Sequence, residues 1–236
     1  RGKIVHSTVQ GFADLERKAK NLGLWLLDVP TEYGGQGLGL LGMVVVREEI
    51  SRTIALPPRG PGVFGPDLRP VLFTLTPAQK EKYLFPVLRG EKTTAFAQSE
   101  PDAGSAPGAM RTTAVRKGDH YVINGYKRWI TKAHDADFLQ LVAATDRSKG
   151  SRGGLSMFLV DTDTPGVKIV RRTPTMMSDM PCEIALDDVI VPAENLIGKG
   201  GDGMRQAQSW ITAGRLYRAC RGLGVAKRCF DLAVAY

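Results

Sequence analysis

The sequence predicts an α+β, multidomain chain: a helical first part, a middle antiparallel β-barrel or sandwich, and a helical last part. Three observations predict it. Apolar residues recur at helical spacing ahead of Thr93, the pattern shortens to period two between Thr93 and Asp187, and helical spacing returns after Gly203. These changes place the domains at 1–93, 94–196 and 197–236.

In the first part, Phe12, Leu15, Ala19 and Leu22 stand among charged residues at the spacing of an amphipathic helix over 11–22. A short apolar segment, Leu24 to Val29, is closed by Pro30 and a glycine-rich loop. Gly37, Gly39 and Gly42 form a G-x-G-x-x-G, but its context argues against a dinucleotide fingerprint. A long helix precedes it, and Pro and Gly crowd Ser51 to Gly65, where the second strand of a βαβ unit would lie. Leu40 to Arg52 reads as the next helix, with Leu41, Val44, Val45 and Ile50 on its apolar side. Pro57, Pro58, Pro61 and Pro66 then mark a loop. Thr76-Pro77-Ala78-Gln79 supplies an N-cap, a first-turn proline and a capping-box glutamine for a helix that Pro86 should interrupt and Gly90 end.

The middle part shows runs at Arg111–Arg116, His120–Ile123, Phe138–Thr145, Leu155–Asp161, Val167–Arg172 and Cys182–Asp187, separated by turns such as Lys117-Gly118-Asp119 and Thr164-Pro165-Gly166. Asn124-Gly125 reads as a hairpin turn between two strands. In the last part, glycines at 214, 222 and 224 should break the helical pattern.

Composition narrows the classes. A chain of 236 residues with 43% hydrophobic and 24% charged residues is that of a soluble globular protein. No apolar run reaches the roughly 18 residues of a membrane span and no leader pattern opens the chain, so a soluble, intracellular protein is expected. Cys182, Cys220 and Cys229 lack metal or disulfide spacing, and His6, His120 and His134 are scattered, so no metal is expected. The net charge of +8 is spread along the chain without basic blocks, which argues against nucleic acid.

Two stretches carry the chemistry. The first is Phe96-Ala97-Gln98-Ser99-Glu100-Pro101-Asp102-Ala103-Gly104-Ser105, an apolar lead into hydroxyls, a carboxylate and a turn. The second ends in Trp129-Ile130-Thr131. Singly these are ordinary turn and core residues. Together, in this order and spacing, they resemble the Thr-Glu-Pro-x-Ala-Gly-Ser and Lys-x-Trp-Ile-Thr stretches of the FAD-dependent acyl-CoA dehydrogenase family. The resemblance continues through the Pro30-to-Gly37 turn, the Gln79-to-Gly90 helix, Asn195 to Gly198 and Gly214-Arg215, so it spans nearly the whole chain.

The resemblance implies a flavoprotein oxidoreductase that converts an acyl-CoA thioester to a trans-2-enoyl-CoA, with hydride transfer to flavin N5, in fatty acid β-oxidation and lipid metabolism. It implies that Phe96, Ala97, Gln98, Ser99, Ser105, Trp129, Ile130 and Thr131 contact FAD, and that Ser105 and Arg215 contact acyl-CoA. An electron-transfer flavoprotein as acceptor, a homotetramer, and a cytoplasmic location (mitochondrial matrix if eukaryotic) follow by the same analogy. The phosphates of FAD and coenzyme A suit the positive net charge.

Three departures stand out: Ser99 for the commoner threonine, Ala106 for an aspartate, and Lys132 for an asparagine. The family's catalytic glutamate usually lies later in a C-terminal helical bundle of which this chain carries only the first helix. A minority of members place it where Gly214 stands. Glu100 belongs to the turn and is expected to bond backbone amides, so no residue is assigned as base. The alternative is a truncated, non-catalytic flavin- or acyl-CoA-binding relative or subunit.

Overall fold

The computed structural model describes residues 13–53, 64–66, 68, 70–175 and 179–236. The chain forms two compact units, Arg1–Asp67 with Ile211–Tyr236, and Leu68–Trp210.

In the first unit residues 13–21 are helical, with Ala19 buried and Leu15 and Leu22 exposed. The expected apolar face is therefore covered only near its centre, and Phe12 lies outside the described residues. The helix Leu40–Ile50 also differs from expectation. Leu41 is 79% exposed while Met43 is 5% exposed. Two residues apart on a helix means 200° of rotation, so burying Met43 turns Leu41 outward. Of the expected proline loop, 57–63 lies outside the described residues.

The last helix is continuous from Gly203 to Ala235, contrary to the expected breaks. Interior glycines cost only about 1 kcal/mol each, which tertiary contacts offset. At Gly224 the reason is visible: an added Cβ would lie 2.9 Å from Ser51 Cβ, so the last helix meets the end of the Leu40–Ile50 helix at a point that admits no side chain. Around it Arg47 lies over the Tyr217 ring at 4.2 Å, Arg52 pairs with Asp231 at 3.1 Å, and Lys227 pairs with Glu48.

The second unit holds one seven-stranded sheet. Its strands are β1 (Thr94–Ala97), β2 (Thr113–Lys117), β3 (His120–Ile130), β4 (Phe138–Ala144), β5 (Leu155–Asp161), β6 (Val167–Arg172) and β7 (Cys182–Pro192). The order is β1-β4-β2-β3-β7-β6, with β5 on β4. Most pairings are antiparallel, as expected, but β1 runs parallel to β4 and β2 meets β4 in parallel at Thr113 opposite Ala144. Tyr121 of β3 and Phe158 of β5 pack edge to face at 4.8 Å although their strands are not paired, so the sheet curls to enclose its core. Every residue of β4 is buried, Gln140 included, which explains why the strand is otherwise apolar.

A helical run over 77–88 packs on this sheet. Thr76 and Gln79 form the expected capping box, and Tyr83 stacks edge-on against Phe138 at 4.8 Å. Pro86 does not interrupt the run. The turn ahead of it widens into a π-helix, Lys80–Leu84, and Lys92 Nζ donates to the Lys82 carbonyl that Pro86, lacking an N–H, leaves open, at 3.4 Å.

Asn124-Gly125 is the main correction. It makes no hairpin: β3 runs straight through it, and its register against β7 shifts between Ile123 and Gly125. This is a β-bulge. A Cβ on Gly125 would lie 2.6 Å from Thr112 Cα, so the bulge exists where another backbone passes close. Asn124 closes it by exchanging two hydrogen bonds with Asp188, at 2.9 and 2.8 Å. Gly125→Ala is expected to destabilise the protein by about 1–3 kcal/mol through overpacking, measured by denaturant unfolding; an unchanged midpoint would show that Thr112 yields freely.

Candidate functional site

β1 and β2 lie end to end along one edge of β4, and the chain between them, 98–112, leaves that edge and returns to it. The departure is a tight turn in which Glu100 and Ala103 exchange backbone hydrogen bonds at 3.1 and 3.3 Å. At the return, Glu100 Oε2 accepts from the Arg111 amide at 2.6 Å and Oε1 from the Thr112 amide at 3.1 Å. The carboxylate thus bonds backbone amides, as expected from the sequence.

The end of β3 comes alongside this turn. Arg128 N donates to Ser99 O at 2.8 Å, and Lys127 Nζ donates to Gln98 O at 3.1 Å and to Glu100 Oε1 at 2.8 Å. The two stretches singled out in the sequence are therefore bonded to each other. Lys127 and Glu100 form a buried ion pair, their side chains 0% and 3% exposed. Burial pushes the Lys127 ammonium down to about 8, while Glu100 pulls the other way. Burial would raise Glu100, but the Lys127 charge and the amides at Arg111 and Thr112 more than offset it, leaving its pKa lowered.

Beyond Lys127 the register against β7 shifts again, and Trp129 takes φ 62°, a left-handed conformation costly for a bulky residue. Lys132 does the same at φ 64°. Two strained residues thus bracket Ile130-Thr131.

Phe96 packs on Trp210 with ring centroids 5.1 Å apart. Ala97 is buried in the sheet core, and so is Ile130. Gln98 is half-buried and its Oε1 is enclosed without a partner among the described residues. Trp129 is 51% exposed, with the Arg128 guanidinium over its ring at 4.6 Å. Ser105 is exposed and Thr131 half-buried. No other described residue bonds the hydroxyls of Ser99, Ser105 or Thr131. All these belong to the sheet unit, whereas Arg215 is exposed on the part of the last helix assigned to the other unit.

Residues 95–189 match the middle domain of acyl-CoA dehydrogenases, and residues 6–91 match their N-terminal domain. The chain belongs to the acyl-CoA dehydrogenase family. A short-chain specific acyl-CoA dehydrogenase of Clostridium acetobutylicum is 36% identical over 93% of this chain and 59% of its own length. The caffeyl-CoA reductase–Etf complex subunit CarC of Acetobacterium woodii is 37% identical over 94% and 59%. Butyryl-CoA dehydrogenase from Megasphaera elsdenii superimposes with a TM-score of 0.77 at 30% identity, over 94% of this chain and 59% of that one. The chain thus spans about three fifths of the length of these relatives. Acyl-CoA dehydrogenases are FAD-dependent flavoproteins, and the fold described above, a helical part, a curled sheet and the start of a further helix, is theirs.

Sequence reasoning missed Lys127 and Thr112. A lysine inside a period-two strand reads as solvent-facing; the contrary signals were its place as the lysine of the Lys-x-Trp-Ile-Thr stretch and its buried parity with Tyr121 and Ile123. Thr112 carried no signal, because its importance lies in approaching Gly125 from another strand.

Two outcomes follow. Lys127→Met strands the Glu100 charge and should cost about 3–5 kcal/mol in denaturant unfolding. Because the folded Glu100 pKa is depressed, its contribution is whole above the usual glutamate range near about 4.3 and is lost as pH falls toward the lower folded value. Glu100→Gln should therefore be less stable than the parent near neutral pH and show a shallower loss of Tm on acidification; parallel Tm profiles would contradict the assignment.

Proposed function

We propose that the complete protein is an FAD-dependent acyl-CoA dehydrogenase, converting an acyl-CoA thioester to a trans-2-enoyl-CoA. The observation that carries this reading is the bonding of 98–100 to 127–128, which brings the Phe96-to-Ser105 stretch alongside the strand end that leads into Trp129-Ile130-Thr131. The groups present fit a flavin: a flat apolar wall, backbone and hydroxyl donors, and the enclosed Gln98 Oε1 still lacking a donor.

In this reading the amides of Phe96 to Ser99 and the Ser99 hydroxyl meet the pyrimidine edge of the ring. Ser105 bonds a diphosphate oxygen and lies near acyl-CoA. Trp129 walls the ring and Ile130 supports it from the core, while Thr131 donates toward its N5 side. Arg215 contacts acyl-CoA. FAD, when bound, supplies the acceptor for the β-hydride. Hydrogen-bond donors at positions that gain electron density lower the barrier most when they are already oriented, which is what residues held on paired strands provide. Membership of the family supports the division at 1–93, 94–196 and 197–236, an electron-transfer flavoprotein as electron acceptor, a homotetramer, a role in fatty acid β-oxidation, and a cytoplasmic or mitochondrial-matrix location. The kinship with an Etf-complex subunit favours that acceptor. No described helix is long and apolar enough to cross a membrane.

One observation favours the second reading, a flavin- or acyl-CoA-holding subunit without turnover. Among the described residues Glu100 is the one buried carboxylate, and it is committed to Lys127 and two amides. No base is assigned on this chain; the dehydrogenase reading places it beyond Tyr236. The full-length protein should purify yellow and bleach anaerobically with at least one member of a straight-chain, branched and aromatic acyl-CoA panel. A flavin-bearing protein that no thioester bleaches would select the second reading, and a protein that never takes up FAD would refute both. Ser99→Ala should weaken FAD binding by about 0.5–1.5 kcal/mol, one neutral hydrogen bond, read by titrating the apoprotein.

A further inference from the structure

We propose that the Lys127–Glu100 pair is a positioning clamp, which sets the orientation of Gln98 and Ser99 against Trp129 and Thr131 and so holds the slot ready for its ligand. The identity of that ligand rests on the flavin reading; the clamp itself does not.

An ammonium has three donors, and Lys127 directs them to Glu100 Oε1 at 2.8 Å, Gln98 O at 3.1 Å and Met110 Sδ at 3.4 Å. Glu100 in turn takes the amides of Arg111 and Thr112. One buried charge pair therefore joins the end of β1, the turn after it, the return of the chain at 110–112, and β3. No polar atom of the pair is left over, so the network admits one arrangement.

Stability alone does not account for such a pair. Two charges withdrawn from water gain little over well-packed apolar side chains of the same volume, whereas their directed hydrogen bonds select one geometry among many. The geometry selected is unusual. Trp129 is held at φ 62° between the fully buried Lys127 and the core residue Ile130, while Arg128 N is bonded to Ser99 O. A left-handed tryptophan persists only where its surroundings over-determine it. The clamp is one of those constraints, and the indole it fixes is the exposed wall of the slot. Neither Lys127 nor Glu100 lines that wall, so both are positioning residues.

The test uses the full-length protein. Lys127→Met alone strands a charge and risks unfolding, so the informative variant combines Lys127→Met with Glu100→Gln, which keeps both volumes and removes both charges. Thermal unfolding establishes that it folds. Hydrogen exchange should then show the Arg128 amide losing protection by about tenfold or more, with the amides of β4 and β5 unchanged, and FAD affinity should fall by about tenfold. At saturating FAD the flavin visible band and midpoint potential should shift, which loss of stability alone would not produce. A folded double variant with parental Arg128 exchange overturns the clamp, whether or not FAD affinity has changed. So does one that binds FAD with parental affinity and an unshifted potential. If the parent protein takes up no FAD, the flavin reading fails and Arg128 exchange decides the clamp on its own.

Discussion

A lysine ammonium with no access to water persists in a protein interior only beside a carboxylate and with its remaining donors engaged. In this chain that condition ties residues 98 to 112 to the far end of β3. The turn after β1 can leave β4 and come back to it because Glu100 receives the amides of the returning segment while holding Lys127. β3 can twist sharply at its end because Lys127 anchors it on one side and Ile130 on the other. One buried charge pair thus fixes how the two stretches lie against each other.

The same strand shows how irregularity is placed. β3 is bulged twice, once at Gly125 and once between Lys127 and Ile130. The first bulge lets Thr112 pass against the backbone, which is the residue that brings Glu100 its second amide and gives its carbonyl to Ala144 of β4 at 2.8 Å. The second turns the Trp129 indole outward. A regular strand would alternate inward and outward side chains and could not present Trp129 exposed one residue before a core isoleucine and two after a buried lysine. Bulges re-aim side chains, and here the second does so beside the turn that carries Ser99.

Electrostatics separates the roles of the charged residues. The exposed pairs, such as Arg17 with Asp14 and Arg205 with Asp202, are screened by water and add little to stability. The excess of positive charge is a surface property suited to a phosphate-bearing ligand. The buried pair is different in kind, because its partners have no alternative solvent.

Much of the fold was legible in the amino-acid sequence. Period-two runs marked β2 and β4 to β6 and the start of β3 and β7, the capping box marked the helix after Thr76, and the Glu-Pro and Trp-Ile-Thr stretches marked the family. These signals are local: each is set by residues within a few positions of one another, where sterics and hydrogen bonding act directly on the chain. Asn-Gly misled because its freedom serves a hairpin or a bulge equally, and only the approach of Thr112 from another strand selects the bulge. The outward face of Leu40–Ile50, the unbroken helix through Gly214, Gly222 and Gly224, and the burial of Lys127 were likewise decided by what packs against them. Local pattern determined which elements form and which family the chain belongs to. Tertiary structure alone decided which lysine is buried and how Trp129 is held, since desolvation and close approach depend on residues distant in sequence.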